Sequence, residues 1–152
     1  MQINQDQSGR IGAGPRIGFV NQKDTAKVSE YMRLAKERHL LPQNLMPKWS
    51  VAPLEGTEDI FELIAINCKR KDGKAPLTGS VIVDAKDDFA QYSSKSTVSM
   101  EMNQEGAAAW ARLTKENIGK CVAIVLDGYV YSYPRVNDEI TGGRSEISGN
   151  FT

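Results

Sequence analysis

Histidine, cysteine and net charge are all scarce in this chain, and each shortage closes off a class of function. His39 is the single histidine among 152 residues, and Cys68 and Cys121 are the only cysteines. With the acids dispersed, they form no nucleophile or metal-ligand constellation, so no hydrolytic or metal-dependent activity, no cofactor and no metal site are expected. Two cysteines are too few for a disulfide scaffold, and their separation neither requires nor forbids a bridge; two buried thiols are expected. Nineteen basic and nineteen acidic side chains cancel, so nothing favours a nucleic acid backbone or an anionic membrane surface as partner. Long apolar runs are missing too. The longest, Cys121 to Leu126, is strand-sized and well short of the roughly 20 residues of a membrane span. Met1 opens a polar stretch without an apolar signal core, which reads as the start of an excised soluble segment whose membrane anchor lies outside it.

What remains is ordinary for a globular domain: 40% hydrophobic and 25% charged residues, enough for one core or two small lobes. Residues 1–14 are polar and glycine-rich and read as a mobile lead-in. Gly9, Gly12, Gly14 and Gly18 do not follow a strand and are interrupted by Pro15, which argues against a phosphate loop. An N-terminal α/β lobe is expected over 15–74. Its first strand runs from Arg16 to Val20, and Asp24 or Thr25 caps a helix to about Arg38 with Val28, Tyr31, Met32 and Ala35 on one face. His39 sits at the end of that helix, where an imidazolium favours the dipole. The prolines between Leu40 and Pro53 predict an irregular connection to a short strand around Lys48 to Val51, anchored by Trp49. Ile60 to Cys68 alternates as a strand. The charged turn at Lys69 to Lys74 ends it.

A C-terminal α+β lobe is expected over 75–152. A segment from Val81 to Phe89 precedes the polar connector Gln91 to Ser96. Asp84, Asp87 and Asp88 lack the ligand spacing, turn glycine and final glutamate of a calcium loop. Val98, Met100 and Met102 alternate with polar residues as a strand. Asn103 caps a helix with Ala107, Trp110, Leu113 and Thr114 at helical spacing, and Gly119 stops it. Lys120 to Leu126 predicts a strand covered on both faces. Asp127-Gly128 supplies the two positive-φ positions of a tight hairpin, and Tyr129 to Tyr133 returns. Pro134 breaks the strand, Val136 to Ile140 forms an edge or turn, and Arg144 to Gly149 is a final strand. The fold class is α+β, an antiparallel or mixed sheet with helices on one face and ferredoxin-like βαββ character in the C-terminal lobe.

The ordered series Glu105-Gly106-Ala107, Leu113-Thr114, Asn117 with Gly119-Lys120, Ala123 to Gly128, Pro134, Ile140 with Gly143, and Ile147 to Thr152 closely resembles the extracytoplasmic domain of the SecD/SecDF protein-export family. The upstream GPRIGFVNQKDTAKVSEYM and KAPLTG are similar to the fused SecDF variety. The resemblance gives Gly106, Thr114, Asn117, Gly119, Asp127, Gly128, Pro134 and Gly149 as structural motif positions, and implies continuation past Thr152 by a further helix. It also implies a bacterial inner-membrane protein whose segment here faces the periplasm, contacts unfolded preprotein and other Sec translocase subunits, and helps export driven by the proton motive force. In that setting the sequon Asn150-Phe151-Thr152 has no meaning. A scaffold that binds only other subunits is the alternative. A hydrolase using Cys68 or Cys121 requires His39 beside a thiol embedded in an apolar strand. Tyr129, Tyr131 and Tyr133 fall on one face of the hairpin and are the candidate client contacts, since aromatic side chains give large contact area with few rotatable bonds.

Overall fold

A computed structural model of the chain describes residues 1–5, 12–68, 73–89 and 96–149. In chain order the elements are β1 (Gln2–Ile3), β2 (Arg16–Asn21), α1 (Thr25–Glu37), β3 (Leu45–Trp49), β4 (Ile60–Asn67), β5 (Ile82–Phe89), β6 (Ser96–Met102), α2 (Gln104–Glu116), β7 (Ile124–Leu126), β8 (Tyr129–Ser132) and β9 (Arg144–Gly149). The chain divides into two compact units, residues 1–73 with 124–131, and residues 74–123 with 132–152. The hairpin at 124–131, placed by sequence in the C-terminal lobe, therefore groups with the first unit.

The first unit is built on an antiparallel sheet in the order β1-β2-β4-β3. Its core is Val20, Val28 and Leu63, flanked by Ile17, Met32 and Trp49. Leu63, 2% exposed, alone removes enough apolar surface to contribute about 2 kcal/mol. Trp49 pairs with Leu63 across the sheet and its Nε1–H donates to Ser29 Oγ at 2.9 Å, so the one polar atom of the anchor is satisfied. β3 starts earlier than the sequence suggests. Cys68 N–H bonds the Asn44 carbonyl and Ser50 N–H the Glu62 carbonyl, and this alternation turns the main chain of Pro47 away from β4, where a missing N–H costs nothing.

α1 follows directly on a 3-10 turn at Gln22–Asp24, whose Lys23 N–H is met by the Asn21 side chain. Asp24 occupies the cap position without a side-chain bond; Thr25 Oγ1 instead donates to the Gln22 carbonyl. Tyr31, expected on the core face, is 56% exposed. On the helical wheel Val28, Met32 and Ala35 cluster within about 60° while Tyr31 falls at the margin, where the Lys27 ammonium lies 5.9 Å from its ring centroid.

The second unit carries an antiparallel sheet in the order β5-β6-β9, so β6 takes β5 and β9 as neighbours rather than the hairpin that follows α2. α2 buries Gly106, Trp110 and Thr114, spaced four apart along one face. Asn103 caps it as expected, its side chain accepting from Gly106 N–H. A Cβ on Gly106 would stand 2.7 Å from Val81. Only a glycine lets the helix lie this close. Thr114, fully buried, donates from Oγ1 to the Trp110 carbonyl and accepts Ile140 N–H at 3.0 Å, which ties the segment after the hairpin to the helix. The expected run of strand from Lys120 is shorter than predicted. Cys121 makes a single bridge to Arg135, and ladder structure resumes only at Ile124.

Candidate functional site

The hairpin formed by β7 and β8 is where the sequence placed the site. Asp127 and Gly128 have φ of 49° and 88°, the two left-handed positions of a type I′ turn, which matches strand twist and sets Leu126 opposite Tyr129. Gly119, φ 78°, ends the α2 region, and Asn117 closes the helix by donating from Nδ2 to the Leu113 carbonyl. Gly119 N–H then bonds the Val136 carbonyl, and Val122 N–H bonds the Pro134 carbonyl. Pro134 thus contributes an acceptor where it has no donor. Gly149 pairs with Ser96 at the end of the β6–β9 ladder; Asn150, Phe151 and Thr152 lie outside the described residues.

On its other side β8 adds to the first unit. Val51 N–H bonds the Val130 carbonyl at 2.9 Å, Ser50 and Val130 bridge in parallel, and Lys48 Nζ donates to the Gly128 carbonyl at 3.3 Å. Val130 is buried beneath this join at 2% exposure, while Val125, Leu126 and Tyr129 are 36%, 54% and 50% exposed. The apolar run is therefore not covered on both faces. Val51, also exposed, joins them in the first unit. Sequence pattern missed Val51, Val125 and Leu126 as surface residues, because an uninterrupted apolar run reads the same whether buried or displayed.

The structure brings two of the three candidate tyrosines together. Tyr129 and the half-buried Tyr131 lie on the hairpin in the first unit; Tyr133 lies past the end of β8 in the second. The expected strip of three is broken because Pro134 stops the strand. His39 is exposed at the end of α1, its Nδ1 2.9 Å from Gln43 Nε2. Neither Cys68 nor Cys121, both half-buried rather than fully buried as expected, is in a disulfide. The Lys86 ammonium, 2.9 Å away, bonds Asp84 and holds its carboxyl below the usual carboxylate range. The side chains of Asp87 and Asp88 lie outside the description, and among the described residues no three His, Cys, Asp or Glu are placed to hold a metal. None of the helices among the described residues is long and apolar enough to cross a membrane.

Fold and hairpin together define a two-unit α+β module that displays an apolar ribbon turned at Asp127-Gly128. Residues 65–152 match the family model for the SecDF P1 head subdomain, and the chain belongs to the SecD/SecDF family. It is 42% identical over 139 residues to the protein translocase subunit SecD of Rhodothermus marinus, covering 91% of this chain and 22% of that protein. It is 43% identical over 77 residues to the protein translocase subunit SecDF of Thermus thermophilus, covering 51% of this chain and 10% of that protein. A solved chain described as a membrane component SecDF that enhances protein export is 30% identical, with a TM-score of 0.46 over 91% of this chain and 56% of that one. The chain thus spans a quarter or less of the length of the curated relatives it matches.

Proposed function

We propose that this chain is the periplasm-facing part of a SecD/SecDF-type translocase subunit, where it contacts unfolded preprotein during export driven by the proton motive force. It acts by contact, without hydrolytic chemistry, beside other Sec subunits. The observation that supports the reading is the hairpin. Val125, Leu126 and Tyr129 are large, apolar and exposed, and a ribbon without side-chain cations suits weak, sequence-tolerant contact with extended polypeptide. The family's curated members, named as protein translocase subunits, supply the class of client. The test is a titration of a labelled unfolded polypeptide against the parent chain and a Tyr129→Ser, Tyr131→Ser double variant with retained fold. The variant is expected to bind at least several-fold more weakly. Equal binding would remove the tyrosines from the site, and a parent chain that binds no unfolded polypeptide would favour the scaffold role.

A further inference from the structure

We infer that the hairpin takes an extended polypeptide by strand addition at the outer edge of β7, through main-chain hydrogen bonds centred on Val125. The inference rests on the client-binding reading above and names its mode. In a two-residue hairpin the residues flanking the turn, Leu126 and Tyr129, are a hydrogen-bonded pair, so the next pair, Val125 and Val130, turns its main-chain groups outward on opposite sides. The carbonyl of Val130 does point away from β7, because it accepts the N–H of Val51. By the same alternation the N–H and C=O of Val125 point away from β8. Among the described residues no strand lies on that side of β7.

Proteins that must keep such an edge from pairing place a lysine, a proline or an inward charge on it. Ile124, Val125 and Leu126 carry none of these. β7 is backed by β8, which is in turn held by the bridge and main-chain bond at Ser50 and Val51 just past β3; an added strand would therefore extend a two-stranded ribbon that is itself anchored. The length of the edge selects the occupant. Three residues span about 10 Å, and pairing over that length buries far less than the roughly 1,200 Å² of a stable interface. A second copy of this chain would not be held. An extended, unfolded segment would be held briefly, and main-chain bonding makes the contact indifferent to its sequence. Val125, Leu126 and Tyr129 supply the neighbouring apolar surface for whichever side chains arrive.

The experiment compares Val125→Pro with Val125→Thr in the whole chain. Proline removes the outward N–H at an edge position, where no ladder bond to β8 is lost, whereas threonine keeps the N–H and the β-branched shape. The probe is a fluorescein-labelled synthetic peptide of about 20 residues of Ser, Thr, Val and Ala, and its partner is the same peptide N-methylated at alternate residues, which blocks strand pairing. The parent chain is expected to bind the plain peptide at least about five-fold more tightly than the methylated one. Val125→Pro should show a loss of the same size and no further loss with the methylated peptide; Val125→Thr should bind within about two-fold of the parent. Equal binding of both peptides by the parent overturns strand addition, even if Val125→Pro does not fold. Loss on Tyr129→Ser with none on folded Val125→Pro would leave the side-chain contact standing and remove the strand addition alone. A parent chain that binds neither peptide would remove both.

Discussion

His39 and Asp127 are the two residues other than glycine that hold a positive φ among the described residues, at 57° and 49°, and they do so for different reasons. His39 stands one residue past Arg38, the C-cap of α1, where its N–H bonds the Lys36 carbonyl and the next N–H, of Leu40, bonds the Ala35 carbonyl. These are the two bonds of a Schellman ending, a position glycine fills best. Its imidazole contributes one exposed contact with Gln43. We expect His39→Gly to stabilise the chain by about 0.5 kcal/mol, the strain of the left-handed Cβ exceeding the entropy glycine adds to the unfolded chain. Gly128 is the reverse case. A Cβ there meets nothing within 4 Å, yet φ is 88°, so Gly128→Val should cost about 1–2 kcal/mol through backbone strain alone. Thermal melts of the two variants are expected to shift in opposite directions; an unchanged melt for Gly128→Val would remove the turn geometry.

At the scale of an element, α1 shows how little exposed charge contributes and when. Arg33 bonds both carboxylate oxygens of Glu30, at 2.9 and 2.6 Å, and pairs with Glu37 one turn on. This guanidinium holds the Glu30 carboxyl below its usual range. A carboxyl whose folded value is depressed stabilises the fold above its ordinary titration range and loses that contribution as pH falls through the folded value. All three groups are exposed, so the effect is small and screened by salt. Arg33→Gln should melt slightly below the parent at neutral pH and low ionic strength. The gap is expected to close as pH falls well below the ordinary glutamate range and in about 1 M salt; a gap that persisted under both conditions would mean that Arg33 acts by packing. Elements governed by local chemistry were legible in the sequence. Asn103 announces α2, Gly119 its stop, and Asp127-Gly128 the hairpin, because each is a backbone requirement that few residue types meet. β4 and β9 followed from alternation and turn residues. The join of Lys48, Ser50 and Val51 to the hairpin was not legible. Lys48 and Gly128 lie 80 residues apart, and the join is made largely of main-chain groups that every residue possesses. Of the candidate site, Tyr129 and Tyr131 were readable from the turn register, and Pro134 carried the signal that separates Tyr133.

At the scale of the whole molecule, the first unit is not a continuous stretch of chain, since residues 124–131 return to it from within the sequence of the second. The hairpin is therefore a part of the first unit that the second unit's sequence delivers. Its attachment there includes, among the described residues, Val51 N–H on the Val130 carbonyl and Lys48 on the Gly128 carbonyl, together with the burial of Val130. The second unit has its own framework. β6 is paired on both sides, Met102 N–H bonds the Gly143 carbonyl, and Thr114 secures Ile140. None of these bonds uses a residue between 124 and 131. Replacing that segment with a short Gly-Ser link between Ala123 and Ser132 should then separate the two in hydrogen exchange, which reads the opening of each backbone amide. The Val51 amide is expected to lose its protection. The amide of Met102 should exchange at the parent rate, because its acceptor and the strands around it are unchanged. A parallel loss at Met102 would show that the hairpin supports the second unit as well, and protection retained at Val51 would show that its bond to Val130 does not hold in solution.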